Sequence, residues 1–152
     1  MQLPWCEDSC MANTRDLEAA FDWTRKELGK RFDVTFSKAQ TTLRQGTQRT
    51  FNAVSNDGSI VATISHSSGL TSGNKKPVGK IHGAVAYLYF LSQARAQRRM
   101  LVLTDPDLHR FVLNEVEGAV GDGLEILHVP LPSELAAKVR AVTSRASDEM
   151  SA

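Results

Sequence analysis

Between residues 14 and 31, Leu17, Ala20, Phe21, Thr24 and Leu28 recur at three- and four-residue intervals. That spacing puts them on one stripe of a helix. Asn13 or Thr14 supplies an N-cap, Asp16 and Glu18 suit the first turn, and Gly29 stands near the end. Over 33–43, Val34 and Phe36 alternate with polar residues and several threonines follow, which predicts a strand. Arg44-Gln45-Gly46-Thr47 reads as a turn, 48–55 as a second strand, and Asn56-Asp57-Gly58 as a tight hairpin turn. The third strand, 59–66, contains the unbroken apolar run Ile60-Val61-Ala62, which suits a strand covered on both faces.

Residues 66–79 are rich in Ser, Gly and Lys and form a loop. A strong helix follows at 78–97. Its buried stripe is Ile81, Ala84, Val85, Leu88 and Leu91, and Ala86, Tyr87 and Phe90 widen it, so this helix is expected to be central. Met100-Leu101-Val102-Leu103 is a short strand of the buried type. Thr104-Asp105-Pro106 opens a helix over 106–117, because a capping residue precedes a proline at the first helical position. Gly118 and Gly123 bound a break, 124–129 is a last strand, and Pro132-Ser133 starts a helix reaching about 145. The order α-β-β-β-α-β-α-β-α predicts an α/β fold, with a mixed central sheet and helices on both faces. One domain is expected over 14–146, with flexible tails at 1–13 and 147–152.

Charge adds a second pattern. The net charge is only +1, yet residues 23–49 and 75–110 each hold seven bases and two acids. The 22 residues before them hold five acids and one base, and residues 111–152 hold seven acids and three bases. Two basic segments inside a near-neutral total point to an anionic partner or to solvated helix faces. No apolar run approaches the roughly 20 residues of a membrane helix, and the start lacks a basic stretch followed by an apolar core. A cytoplasmic protein with no membrane partner is the expectation. Cys6 and Cys10 lack a second Cys/His pair at ligand spacing and read as reduced thiols.

The hairpin Phe51-Asn52-Ala53-Val54-Ser55-Asn56-Asp57-Gly58-Ser59-Ile60-Val61-Ala62-Thr63-Ile64-Ser65 carries the strongest functional signal. Together with the element order over about 14–104, it resembles the PD-(D/E)XK nuclease superfamily, whose restriction-endonuclease-like core runs α-β-β-β-α-β. The resemblance implies that such a hairpin bears an Asp on its first strand and Glu-x-Lys on its second. There the carboxylates hold Mg²⁺, which activates the attacking water, and the lysine stabilises developing negative charge. In this chain the three motif positions hold Asn52, Thr63 and Ser65. None supplies the charge that this chemistry needs, so a catalytically degenerate member is expected.

Three functional readings follow. In the first, the domain is a nuclease-like module that binds DNA or RNA, or regulates, without cleaving. In the second, it is an active endonuclease with displaced ligands, drawn from Asp57, His66 or an acid on the first helix, and uses Mg²⁺ or Mn²⁺. In the third, it is a protein-interaction subunit or a homodimer. Without surviving catalysis no cofactor is expected. For phosphate contact the residues expected are Lys75, Lys76 and Lys80, gathered near a helix N-terminus among Gly69, Gly73 and Gly79. No Walker motif is present. His66 reads otherwise as an exposed strand-end residue, Asp57 as a turn residue, and His82 and His128 as packing residues.

Overall fold

The computed structural model describes the backbone of residues 4–70, 73 and 75–150, and the side chains of residues 14–70, 73 and 75–143. Four helices and five strands alternate as α1 (Pro4–Phe32), β1 (Phe36–Thr42), β2 (Gln48–Ser55), β3 (Ile60–Ser65), α2 (Val78–Gln93), β4 (Arg98–Leu103), α3 (Pro106–Val116), β5 (Leu124–His128) and α4 (Ser133–Met150). The strands form one sheet in sequential order, β1-β2-β3-β4-β5. Neighbours β1, β2 and β3 are antiparallel, while β3, β4 and β5 run parallel. The two parallel connections are made by α2 and α3, which pack together; α1 packs with α4.

Strand chemistry explains the layers. In β3 and β4 successive side chains enter opposite halves of the core, so both strands read as unbroken apolar runs. Val61, Leu101 and Leu103 join Ile81, Leu88 and Leu91 of α2 and Leu108 and Val112 of α3. Ile60, Ala62, Ile64, Met100 and Val102 instead join Leu28 of α1 and Phe36 of β1. The domain is therefore an α/β fold with a mixed five-stranded sheet between two helical layers.

Several boundaries differ from the sequence expectation. The first helix begins at Pro4 and runs through the expected cap at Asn13 or Thr14, so residues 4–13 are helical backbone. Pro4 suits the first helical position, and Glu7 and Asp8 favour a helix start. Cys6 and Cys10 fall outside the residues whose side chains are described. At the far end of α1, Asp33 adopts φ 54 and Val34 N–H donates to Gly29 O at 3.2 Å, the 6→1 bond of a Schellman cap. That cap removes residues 33–35 from the expected first strand. Gly29 is inside the helix, and a Cβ there would sit 2.7 Å from Val34 O. Helix α2 stops at Gln93 because Ala94 is extended and bridges to Leu43. Helix α4 continues to Met150, beyond the expected end near 145.

Helix α2 is also less buried than its composition suggests. Val85, counted in the expected buried stripe, is 38 % exposed, and Tyr87 and Tyr89 are 42 % and 58 % exposed. The sheet takes only the face formed by Ile81, Ala84, Leu88 and Leu91. Among the described residues, no helix is long and apolar enough to cross a membrane.

Candidate functional site

Where β2 and β3 part, the sheet opens into a cleft of about 370 Å³. The two strands pair only through Ala53↔Ala62 and Val54↔Val61. On the other side of β2, the register against β1 shifts between Ser37 and Ala39, so Asn52 and Ala53 together face Lys38. Such a bulge bends a strand and re-aims its side chains. All three motif positions, Asn52, Thr63 and Ser65, line this cleft, together with His66. The hairpin thus assembles the residues that its sequence pattern groups.

Their chemistry is structural rather than metal-binding. Asn52 Nδ2 donates to Ile64 O at 2.9 Å, and Ile64 N–H donates to Asn52 Oδ1 at 2.7 Å. The carboxamide replaces the two ladder bonds that the parting backbones no longer make, and its donor and acceptor ends are fixed by those partners. Arg25 Nε of α1 donates to the main-chain oxygen of Asn52 at 2.7 Å, which satisfies a carbonyl released by the bulge. Thr63 and Ser65 offer neutral hydroxyls, and among the described residues no Asp or Glu lines the cleft. A Mg²⁺ site needs anionic oxygen ligands, so this donor set does not fit the ion that the resemblance implies.

The two displaced-ligand candidates do not come together. Asp57 lies in the turn at the start of β3, where its Oδ1 accepts from Ser55 Oγ (2.7 Å), Ser59 N (3.0 Å) and Ser59 Oγ (2.7 Å). Those bonds, the Ser59 hydroxyl first, hold its carboxyl down to about 2. His66 lies at the opposite end of the same strand, roughly 20 Å along it at about 3.3 Å per residue. Among the described residues, no group of three His, Cys, Asp or Glu side chains could hold a metal ion.

His66 is buried, with only 7 % of its surface exposed, and is not the exposed strand-end residue expected. Its Nδ1 lies 2.9 Å from Thr104 Oγ1, and its ring meets Phe21 edge-on at 4.5 Å. Nε2 is buried without a partner. Burial, reinforced by the Arg25 charge, lowers its pKa to about 4 from 6.5. The folded state therefore binds this proton less readily than the unfolded chain. Stability is fully present above about pH 6.5 and drains away as the pH falls towards 4. The loss expected between pH 7 and pH 5 is about 2 kcal/mol. Urea denaturation at the two pH values should show this loss in wild type and a flatter profile in His66→Gln.

The loop that follows is tied down rather than open. Asp105 Oδ2 accepts from Leu108 N at 2.9 Å as the cap of α3, and from Gly69 N at 2.8 Å. A Cβ on Gly69 would lie 2.4 Å from Leu108 N, so only glycine permits this approach. Gly69→Ala should cost about 2 kcal/mol in chemical denaturation, because the loop must lift off the helix start. Two of the three lysines expected for phosphate contact meet groups of the protein itself. Lys80 Nζ donates to Ser68 O at 2.9 Å, and Lys76 Nζ lies 3.4 Å from Glu115 Oε2. Lys75 is exposed, and none of the three lines the cleft.

Among the described residues, the cations that do line the cleft are Lys38 and Arg49, whose places in the sequence carry no sign of it. The Arg49 guanidinium stands 3.5 Å from the centroid of the Phe90 ring of α2. Tyr87, one helical turn earlier, and Phe21 of α1 complete an aromatic lining, and hydroxyls come from Thr50, Thr63, Ser65, Ser67 and Thr143. Among the described residues, two cations, several hydroxyls and no carboxylate make a cleft suited to an anion. No family model matches the chain, and neither the curated proteins nor the solved structures provide a match.

Proposed function

We propose that this chain is a nuclease-like domain that binds the phosphate backbone of nucleic acid and does not cleave it. The observation that carries the reading is the lining of the hairpin cleft. Lys38 and Arg49 stand beside hydroxyl groups, and the motif positions hold no carboxylate. The element order supports the scaffold: α1-β1-β2-β3-α2-β4 runs in the order α-β-β-β-α-β that the resemblance implies. The reading leaves the inherited chemistry unused, because Asn52 serves the strand ladder and Asp57 serves the turn.

Affinity of this kind comes from counterion release, so it should fall linearly in log–log form as salt rises. Fluorescence anisotropy with a mixed-sequence oligonucleotide, in EDTA and across a salt series, tests the reading. Tight binding at low salt that weakens steeply is the expected result. Absent or salt-independent binding would overturn it.

A further inference from the structure

We infer that the cleft selects unpaired nucleotides: its ligand is single-stranded nucleic acid, with a base stacked on Tyr87 and the adjoining phosphates at Lys38 and Arg49. This rests on the phosphate-binding reading above and adds the strandedness that reading leaves open. Three features of the cleft point the same way.

The first is the company of the cations. Backbone contact with a duplex needs only charge and hydroxyls along a surface. Here the cations share the cleft with Phe21, Tyr87 and Phe90. Tyr87 and Phe90 are three residues apart on α2, so they project from the same side of the helix. Cations interleaved with aromatics form the surface on which single strands lie, because every base has a face that stacks without regard to sequence.

The second is the different state of the two α2 aromatics. Phe90 is half-buried and its ring is covered by the Arg49 guanidinium at 3.5 Å. That stack holds the guanidinium plane at the cleft wall, with its N–H edges directed away from the ring. Tyr87 is 42 % exposed although it belongs to the lining. An aromatic ring left this open in a cleft is a platform for another flat group.

The third is size. A cleft of about 370 Å³ falls within the range for a small-molecule pocket and suits about one nucleotide. A paired base is covered by its neighbours above and below, so it reaches such a ring only after extrusion, which costs unstacking energy. An unpaired base meets no such cost.

The test compares a single strand of about 15 nucleotides with the same sequence annealed as a duplex, by anisotropy in EDTA at fixed salt. Wild type should bind the single strand at least about tenfold more tightly. Tyr87→Leu keeps apolar bulk but removes the π face. It should lower single-strand affinity about tenfold with an unchanged salt slope, since both phosphate-binding cations remain. Tyr87→Phe keeps the face and should bind as wild type does. Equal affinity for both forms, or an unaffected Tyr87→Leu, would overturn this inference while leaving the phosphate-binding reading in place. Failure to bind either form would overturn both.

Discussion

Asn52→Asp unfolds about 3 kcal/mol more readily than wild type at neutral pH, a fall in Tm on the order of 10 °C for a chain of this size. The exchange is nearly isosteric, so the loss isolates one hydrogen bond and one charge. The carboxylate still accepts from Ile64 N–H, but nothing donates to Ile64 O, and the two oxygens then face each other at a distance set by a 2.9 Å bond. An acid in that position gains from holding its proton, since the protonated form restores the donor. Its folded pKa therefore lies above the unfolded value of about 3.9. The deficit against wild type is full at neutral pH and narrows as the pH falls towards 4. Paired urea titrations at pH 7 and pH 5 read both effects. A variant as stable as wild type at pH 7 would show that the hairpin tolerates the charged residue of the nuclease motif, contrary to the role assigned to Asn52.

Combined Lys38→Ala and Arg49→Ala substitution should weaken oligonucleotide binding about a hundredfold at low salt, because each charge-assisted hydrogen bond to phosphate contributes about 1.5 kcal/mol. The salt dependence is the sharper readout. Each phosphate of a single strand that the protein no longer neutralises lowers the slope of log K against log salt by about 0.7. The double variant should therefore show a slope shallower by about 1.4. Substituting Lys76 and Lys80 instead should leave affinity near that of wild type, because those side chains are engaged by Glu115 and by Ser68 O. The reverse outcome, with the loop lysines dominant, would move the binding surface from the cleft to the start of α2.

Element order and strand type were legible in the sequence because they rest on local signals. The apolar runs of β3 and β4, the Asn56-Asp57-Gly58 turn and the Asp105-Pro106 helix start each carry their own chemistry within a few residues. Asp105 shows the limit of that legibility. Its cap is written in the sequence, but its second bond to Gly69 joins segments 36 residues apart. The end of α1 differs from expectation for a related reason. Gly29 is a familiar helix-end residue, yet the left-handed residue is Asp33, and the glycine serves the close approach of Val34 O.

The hairpin sequence also located the cleft, through Asn52, Thr63 and Ser65, but not its charge. Lys38 and Arg49 sit in strands that read as Thr-rich and unremarkable. They enter one cleft only through the β1–β2 bulge and the meeting of Arg49 with Phe90, 41 positions further along the chain. Lys75, Lys76 and Lys80 are close in sequence, and that proximity is what made them conspicuous. Nothing local to His66 signals its burial, which comes from Phe21 of α1 and from Thr104, beyond the end of β4.

The central claim is a cleft that holds phosphate with its own cations and has no use for a metal. The most direct measurement is oligonucleotide affinity in EDTA and again in Mn²⁺, at constant ionic strength, with the nucleic acid recovered and sized afterwards. The predicted result is the same affinity in both conditions and full-length nucleic acid in both. Binding that requires Mn²⁺, or shortened product that EDTA abolishes, would contradict it.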